Sequence, residues 1–303
     1  MYTEGLGVGG MRSSDNYEDP GPWPEPRQLA RRRVFAMVAT AGLAMLCAVV
    51  AMALWRSDNS AAQAAATYVG LFGLAMVVVL LAGVWADPRV DARSAVANGR
   101  EHGVAATIVA GSTTYFGLRQ AMWLCFAAIC LLAAGQTAVA AWGTHWPLAL
   151  IFAVLGVICA AEPALTLAGR LRPSKLILTS SEIIHDDWSS RTTLSWNDVR
   201  LIRRGCHRFP IIEVIGETHS AGWTYHETTP GLTLGGKPVR PWRLDPLPPL
   251  PGRIVLECPR FAVARDTLYR YLTFYTENPT ARTELGTPPA AERWHAFGGN
   301  VHH

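Results

Sequence analysis

Four long apolar runs fill the part of the chain before Arg170, and they restrict its fold more than any other feature. Val34 to Trp55 is 22 residues without a charged side chain. As a helix it is about 33 Å long, enough to cross a hydrocarbon core of about 30 Å. Comparable runs cover about 64–86, 122–142 and 146–167. Lipid offers the backbone no hydrogen-bond partners, so a spanning segment must be a helix or part of a closed barrel. None of the four runs alternates with period two as barrel strands do, so each is expected to be a transmembrane helix. Charged residues are 17% of the chain, below the roughly 25% of ordinary globular domains. That deficit also lies before Arg170, and the remainder has a soluble protein's composition.

The charges between the runs predict an orientation. Arg27, Arg31, Arg32 and Arg33 precede the first run, and Arg89, Arg93, Arg100 and Arg119 lie between the second and third. Arg170, Arg172 and Lys175 follow the fourth. The opposite side carries Arg56 alone, with no Lys or Arg in the short Gly143–His145 turn. The positive-inside rule then places both termini in the cytoplasm, with the spans as two hairpins in the plasma membrane. Trp55, Trp142 and Trp146 mark one set of span ends, and Trp85 and Trp123 the other. Indoles favour that headgroup level.

The flanking segments are read as tails. Residues 1–30 are rich in Gly, Pro and acids and are expected to be disordered. The Gly5-Leu6-Gly7-Val8-Gly9-Gly10 run has no strand before it and no helix after it, as a phosphate loop needs. No cleavable leader is expected, because the first apolar run is too long for one. The connection from Asp87 to Gln120 is long enough for structure of its own, with a weak strand signal at Val104–Val109 and an interfacial segment at Tyr115–Arg119.

From Pro173 onward the pattern becomes one of short strands. Lys175–Leu178, Glu182–Trp188, Arg191–Trp196, Asp198–Ile202, Pro210–Ile215 and Arg253–Cys258 are β-rich runs between polar turns. Gly216–Gly252 is crowded with Gly, Pro and Thr, and its Pro246–Pro251 stretch reads as an extended surface loop. Leu268, Tyr271, Leu272 and Tyr275 then recur at steps of three and four, predicting an amphipathic helix. The domain boundaries that follow are 31–170 for the four-helix region, 173–285 for a mainly-β domain with a capping helix, and 286–303 for a flexible tail.

Three segments of this region carry a family resemblance: Leu176-Ile177-Leu178-Thr179-Ser180-Ser181-Glu182-Ile183-Ile184, Thr193-Leu194-Ser195-Trp196-Asn197-Asp198-Val199 and Tyr271-Leu272-Thr273-Phe274-Tyr275-Thr276-Glu277-Asn278-Pro279. Residues 173–285 resemble the pleckstrin-homology-like (PH-like) domains of bacterial, and particularly actinobacterial, membrane proteins. The resemblance implies a binding or scaffolding module. Phosphoinositide-binding relatives hold phosphates with basic residues at the first hairpin. The matching turn here, Thr179–Glu182, has no Lys or Arg.

Several residues are candidates for function. Arg200, Arg203, Arg204, His207 and Arg208 form a basic cluster suited to an anionic leaflet or a protein partner. It is too short, and too far from any recognition fold, for nucleic acid. Glu162, just before Pro163, and Gln136 are the polar residues inside spans. Glu162 reads as an interfacial or packing residue and Gln136 as an interhelical hydrogen bond. His185-Asp186-Asp187 reads as strand-end and turn chemistry. His219 and His226 flank Trp223 without carboxylates at ligand spacing. The six cysteines show no CxxC pattern.

No catalytic residue, metal or cofactor is therefore expected. The sequence reads as a non-enzymatic membrane adaptor or accessory subunit, with membrane lipids, other membrane-complex proteins or a second copy as partners. A transporter or channel subunit using Glu162 is the alternative, and an enzyme using the loop around Trp223 a third.

Overall fold

The structure is a computed structural model describing Trp23 and residues 27–85, 95–218, 220–234, 237–239, 244 and 249–299. The Gly5–Gly10 run, Arg89, Arg93, His219, residues 300–303 and the first half of the Pro246–Pro251 stretch lie outside the described residues.

Helices α1 (Arg27–Trp55) and α2 (Ser60–Trp85) form an antiparallel hairpin. Small residues let the two backbones approach. A Cβ added to Gly73 would sit 3.0 Å from Cys47 Cβ, and one on Gly70 3.9 Å from Ala51 Cβ. α3 runs from Thr113 to Leu167, across the turn expected at Gly143–His145 and with Pro147 and Pro163 inside it. Those 55 residues laid straight would extend about 80 Å. Arg119 and Glu162 are 43 residues apart, yet they meet at 2.8 Å. A Cβ on Gly156 would likewise lie 2.7 Å from Leu131. The segment therefore doubles back, and its arms, Thr113–Val139 and Trp146–Leu167, pack side by side. Both arms, with Arg31–Trp55 and Ser60–Trp85, are long and apolar enough to cross a membrane. Their outward surface is apolar, with Phe35, Met45, Leu74 and Val139 exposed.

The rest of the chain forms antiparallel sheets. One six-stranded sheet runs β1 (Val96–Glu101), β2 (Val104–Ala110), β3 (Lys175–Thr179), β4 (Glu182–Asp186), β5 (Ser190–Ser195) and β8 (Thr224–Glu227). A three-stranded sheet runs β11 (Arg253–Glu257), β7 (Pro210–Gly216) and β6 (Val199–Cys206). β9 (Leu232–Leu234) and β10 (Lys237–Val239) pair with each other. Leu176, Leu178, Ile183, Leu194, Ile212, Val214, Ile254 and Leu256 fill the space between the sheets. α4 (Arg265–Glu277) closes it with Leu268, Tyr271, Leu272 and Tyr275, the stripe expected from the sequence. Trp196 is buried there too, its Nε1–H donating to the Thr179 carbonyl at 2.8 Å.

This unit differs from the expected 173–285 boundaries in three places. β1 and β2 come from the connection between α2 and α3, and β2 pairs directly with β3. They form a two-residue hairpin at His102 (φ 49°) and Gly103 (φ 84°), where Glu101 pairs with Val104. Positive φ at both central residues is the turn that matches strand twist. Residues 286–303, expected as a tail, contain α5 (Pro288–Gly299). Pro at its start and Gly at its end are good helix boundaries. Tyr271 donates to the Ala290 carbonyl at 3.2 Å and its ring meets that of Trp294 at 4.9 Å, so α5 is pinned to α4. Within the expected N-terminal tail, Trp23 donates from Nε1 to Asp266 at 2.8 Å.

Candidate functional site

The five basic residues singled out in the sequence do not form one patch: alternation on β6 separates Arg203 from Arg204, Arg200 falls at a register irregularity, and His207 and Arg208 lie past the strand's end. Arg200 pairs with Glu217 at 2.7 Å on the surface. Arg203 reaches Glu213 at 2.5 Å, and this buried carboxylate is shared with Arg253. Arg204 lies over the rings of Tyr269 (4.4 Å) and Trp23 (5.1 Å) and pairs with Asp266 at 3.2 Å. His207 and Arg208 remain exposed at the β6–β7 tip. There Phe209 sits under the Arg33 guanidinium, 5.5 Å from its ring centre. The tip thus abuts the start of α1, where Arg31 and Arg32 are also exposed.

A second assembly joins the helical region to the sheets, and its centre is Trp188, only 2% exposed. Arg119 of α3 lies 5.1 Å from the indole centre and Arg260, following β11, lies 4.3 Å away. Phe116 and Tyr115, at the start of α3, meet the same indole at 5.4 and 5.9 Å. Each arginine has an acidic partner. Arg119 Nε donates to Glu162 at 2.8 Å, across the two arms of α3. Arg260 donates to Asp187 and Glu257, both at 2.6 Å, and to the Leu244 carbonyl at 2.7 Å. Asp187 also accepts from the Ser174 hydroxyl and the Trp188 amide, both at 2.8 Å.

A buried charge pair survives only when its remaining lone pairs and protons are satisfied, and this one has that support. Burial pushes the Asp187 carboxyl up, but Arg260, His185 and the Ser174 hydrogen bond outweigh it, leaving it below the usual carboxylate range. Burial likewise opposes the Arg260 charge, yet Asp187 and Glu257 hold its pKa above the ordinary value. These groups stay ionised at neutral pH. Their arrangement fixes one orientation of the sheets against α3.

Beside the clamp a cleft of about 460 Å³ opens between the end of α3 and strands β3, β4, β5 and β8. Arg170, Arg172, Lys175 and Arg191 line it together with Asp186, Asp187 and Glu227. Lys175 pairs with Asp186 at 3.0 Å and Arg191 with the same carboxylate at 3.4 Å. Arg191 also donates to Glu101 at 2.5 Å; that hydrogen bond outweighs partial burial and holds the Glu101 carboxyl below its ordinary value.

The remaining candidates are dispersed. His185 is buried with its ring 5.8 Å from Phe261, while Asp186 turns to the charge ladder and Asp187 to the clamp. His226 is exposed on β8, opposite Arg191 in the register. Among the described residues, no three His, Cys, Asp or Glu side chains are grouped so as to hold a metal ion. Glu162 is buried and ion-paired. Gln136 is exposed in an apolar groove with Leu131, Leu132, Gly135 and Val139. Its amide has no hydrogen-bond partner among the described residues. The clamp itself was not legible beforehand: Trp188 looks like the end of a strand, and nothing near it in sequence points to Arg119 or Arg260. Compared with protein-family models, curated proteins and solved structures, the chain matches none.

Proposed function

We propose that this chain is a multi-pass plasma-membrane protein with both termini cytoplasmic, acting as a non-enzymatic adaptor or accessory subunit. Its antiparallel-sheet domain, read as PH-like, is held against the inner leaflet and presented there to a protein partner. The observation that carries this reading is the Trp188 clamp. It locks the sheets to the same end of the helices that carries Arg31, Arg32, Arg33, Arg119, Arg170 and Arg172. A domain fixed there adds His207 and Arg208 to that basic rim, and near an anionic leaflet each cation contributes about 1 kcal/mol. Two sheets closed by an amphipathic helix support the PH-like reading, although β1 and β2 are additions from upstream. Glu162 favours an adaptor over a transporter, because Arg119 occupies it and joins it to the clamp.

Affinity purification of the tagged full chain in mild detergent tests the proposal. A reproducible membrane-protein partner lost on Trp188→Ala is the expected result. Repeated recovery of the chain alone, without lipid dependence, overturns it.

A further inference from the structure

We infer that the cleft between the end of α3 and strands β3, β4, β5 and β8 binds the phosphate of an anionic phospholipid through Arg170 and Arg172. This rests on the membrane reading above and specifies which leaflet lipid the chain holds. The cleft measures about 460 Å³, within the range of small-molecule sites. Its three carboxylates are all engaged. Asp186 meets Lys175 at 3.0 Å and Arg191 at 3.4 Å. Asp187 is matched by Arg260 at 2.6 Å, and Glu227 accepts from the Tyr225 hydroxyl at 3.4 Å.

The other two cations lining the cleft have no acidic partner. Among the described residues the Arg170 guanidinium meets no acceptor. Arg172 donates from Nε to the Gly169 carbonyl at 2.9 Å, and its terminal nitrogens meet none. Within α3 the last carbonyls are capped by the backbone alone. Those of Ala164, Leu165 and Thr166 take the amides of Ala168, Arg170 and Gly169 at 2.9, 2.8 and 3.0 Å. Apart from the one bond to Gly169, the two guanidiniums are therefore left over from ion pairing and from helix capping. Such forks suit phosphate oxygens geometrically as well as electrostatically.

Their depth points to a lipid as the source of the phosphate. Leu167, the last residue of α3, is 91% exposed, and Ala164 is exposed one turn earlier. Arg170 follows three residues later, about 5 Å along the axis at a helical rise. The polar layer outside the hydrocarbon core is about 5–7 Å deep on each side. An acyl chain lying against Leu167 thus carries its phosphate to the level of the two arginines. A zwitterionic lipid brings the same phosphate, but its ammonium would enter a wall whose carboxylates already have partners, beside two cations. A net negative headgroup meets no such penalty.

Native mass spectrometry and thermal unfolding of the full chain in mild detergent test this, with phosphatidylglycerol, phosphatidylethanolamine and soluble glycerol 3-phosphate as probes. Phosphatidylglycerol should be retained most strongly. Arg170→Ala with Arg172→Ala should weaken that retention at least about tenfold, with the circular dichroism spectrum unchanged. Arg170→Lys with Arg172→Lys keeps both charges but loses the forks, and should still weaken it about threefold or more. Equal or better retention of phosphatidylethanolamine by the native chain overturns the assignment, as does wild-type retention by the alanine pair. Wild-type retention by the lysine pair means diffuse attraction to charge in place of a built site, and also overturns it. Equally tight binding of glycerol 3-phosphate reassigns the cleft to a soluble phosphoester and overturns it too. Failure of the membrane reading is visible separately, as recovery of the untreated chain in the soluble fraction.

Discussion

Replacing Arg260 with Met tests whether the buried charge pair, and not apolar packing alone, holds the junction. Arg260→Met keeps an unbranched apolar stem but removes the guanidinium, and with it both the ring contact to Trp188 and the cation that neutralises Asp187 at 2.6 Å. Asp187 would keep the Ser174 hydroxyl, the Trp188 amide and nearby His185 around a carboxyl that is 7% exposed. Stranding one member of a buried pair costs about 3–5 kcal/mol. At about 2–4 °C per kcal/mol for a domain of this size, the loss in Tm is on the order of 10 °C. The pH dependence is diagnostic. In the native chain the Asp187 carboxyl lies below its ordinary value of 3.8. Its contribution is therefore present at neutral pH and lost only as pH falls through that depressed value. In the variant, burial acts without Arg260 and the folded-state pKa rises. Stability then improves in mild acid and declines as pH rises through the raised value. Adding Asp187→Asn to Arg260→Met should recover part of the loss at neutral pH, since a neutral pair is cheaper to bury. Thermal unfolding in detergent between pH 4.5 and 8, read by intrinsic tryptophan fluorescence, measures all three proteins. A single variant within about 2 °C of the native chain at pH 7 would refute the reasoning, and so would a double variant no more stable than the single one.

Three other substitutions probe separate features. Trp188→Ala removes the ring shared by both arginines and should cost about 3–5 kcal/mol; limited proteolysis should then release the sheets while the helical arms stay intact, and an unchanged digestion pattern would contradict the clamp. Gly286 has φ 82°, and an added Cβ would lie 2.3 Å from the Ala106 nitrogen, whereas at Gly103 (φ 84°) nothing lies within 4 Å; Gly286→Ala should lower Tm clearly more than Gly103→Ala, and equal losses would mean that only backbone strain matters. Gln136→Leu should leave the monomer's stability intact but weaken co-purification of differently tagged copies, because an amide facing hydrocarbon gains about 0.6–2 kcal/mol from a partner across helices; unchanged co-purification would rule out that contact.

What the sequence disclosed follows from how local each signal is. The four apolar stretches and the α4 stripe are encoded in consecutive residues, so they are readable without a structure. β3, β4, β6, β7 and β11 carry enough Ile, Val and Leu to announce themselves, and β5 is marked by Thr192, Thr193 and Leu194. β1 is Val-Ala-Asn-Gly-Arg-Glu, a polar edge strand with no apolar alternation, and β8 sits in a stretch crowded with Gly and Thr. Both become strands because a neighbour offers hydrogen bonds, which is a property of the fold and not of the segment. α5, rich in Ala, Gly and Pro, is fixed by Tyr271 and its own Trp294. The five-residue basic cluster failed as a patch because alternation splits Arg203 from Arg204, an irregularity falls at Arg200, and His207 and Arg208 lie beyond the strand. The Trp188 clamp and the cleft unite residues from six separate stretches, and no spacing rule reaches across them.

The β1–β2 hairpin has a consequence for how the protein is made. Its partner strand β3 lies beyond both arms of α3, so Ala110 must wait for Lys175 before the sheet can close. During synthesis, β2 would therefore leave one ladder edge open until the whole of α3 has been produced. The same arrangement means that a fragment beginning at Pro173 would expose the bare edge of β3, a template for aggregation. Synthesis of both arms of α3 and completion of the six-stranded sheet are therefore coupled in this chain.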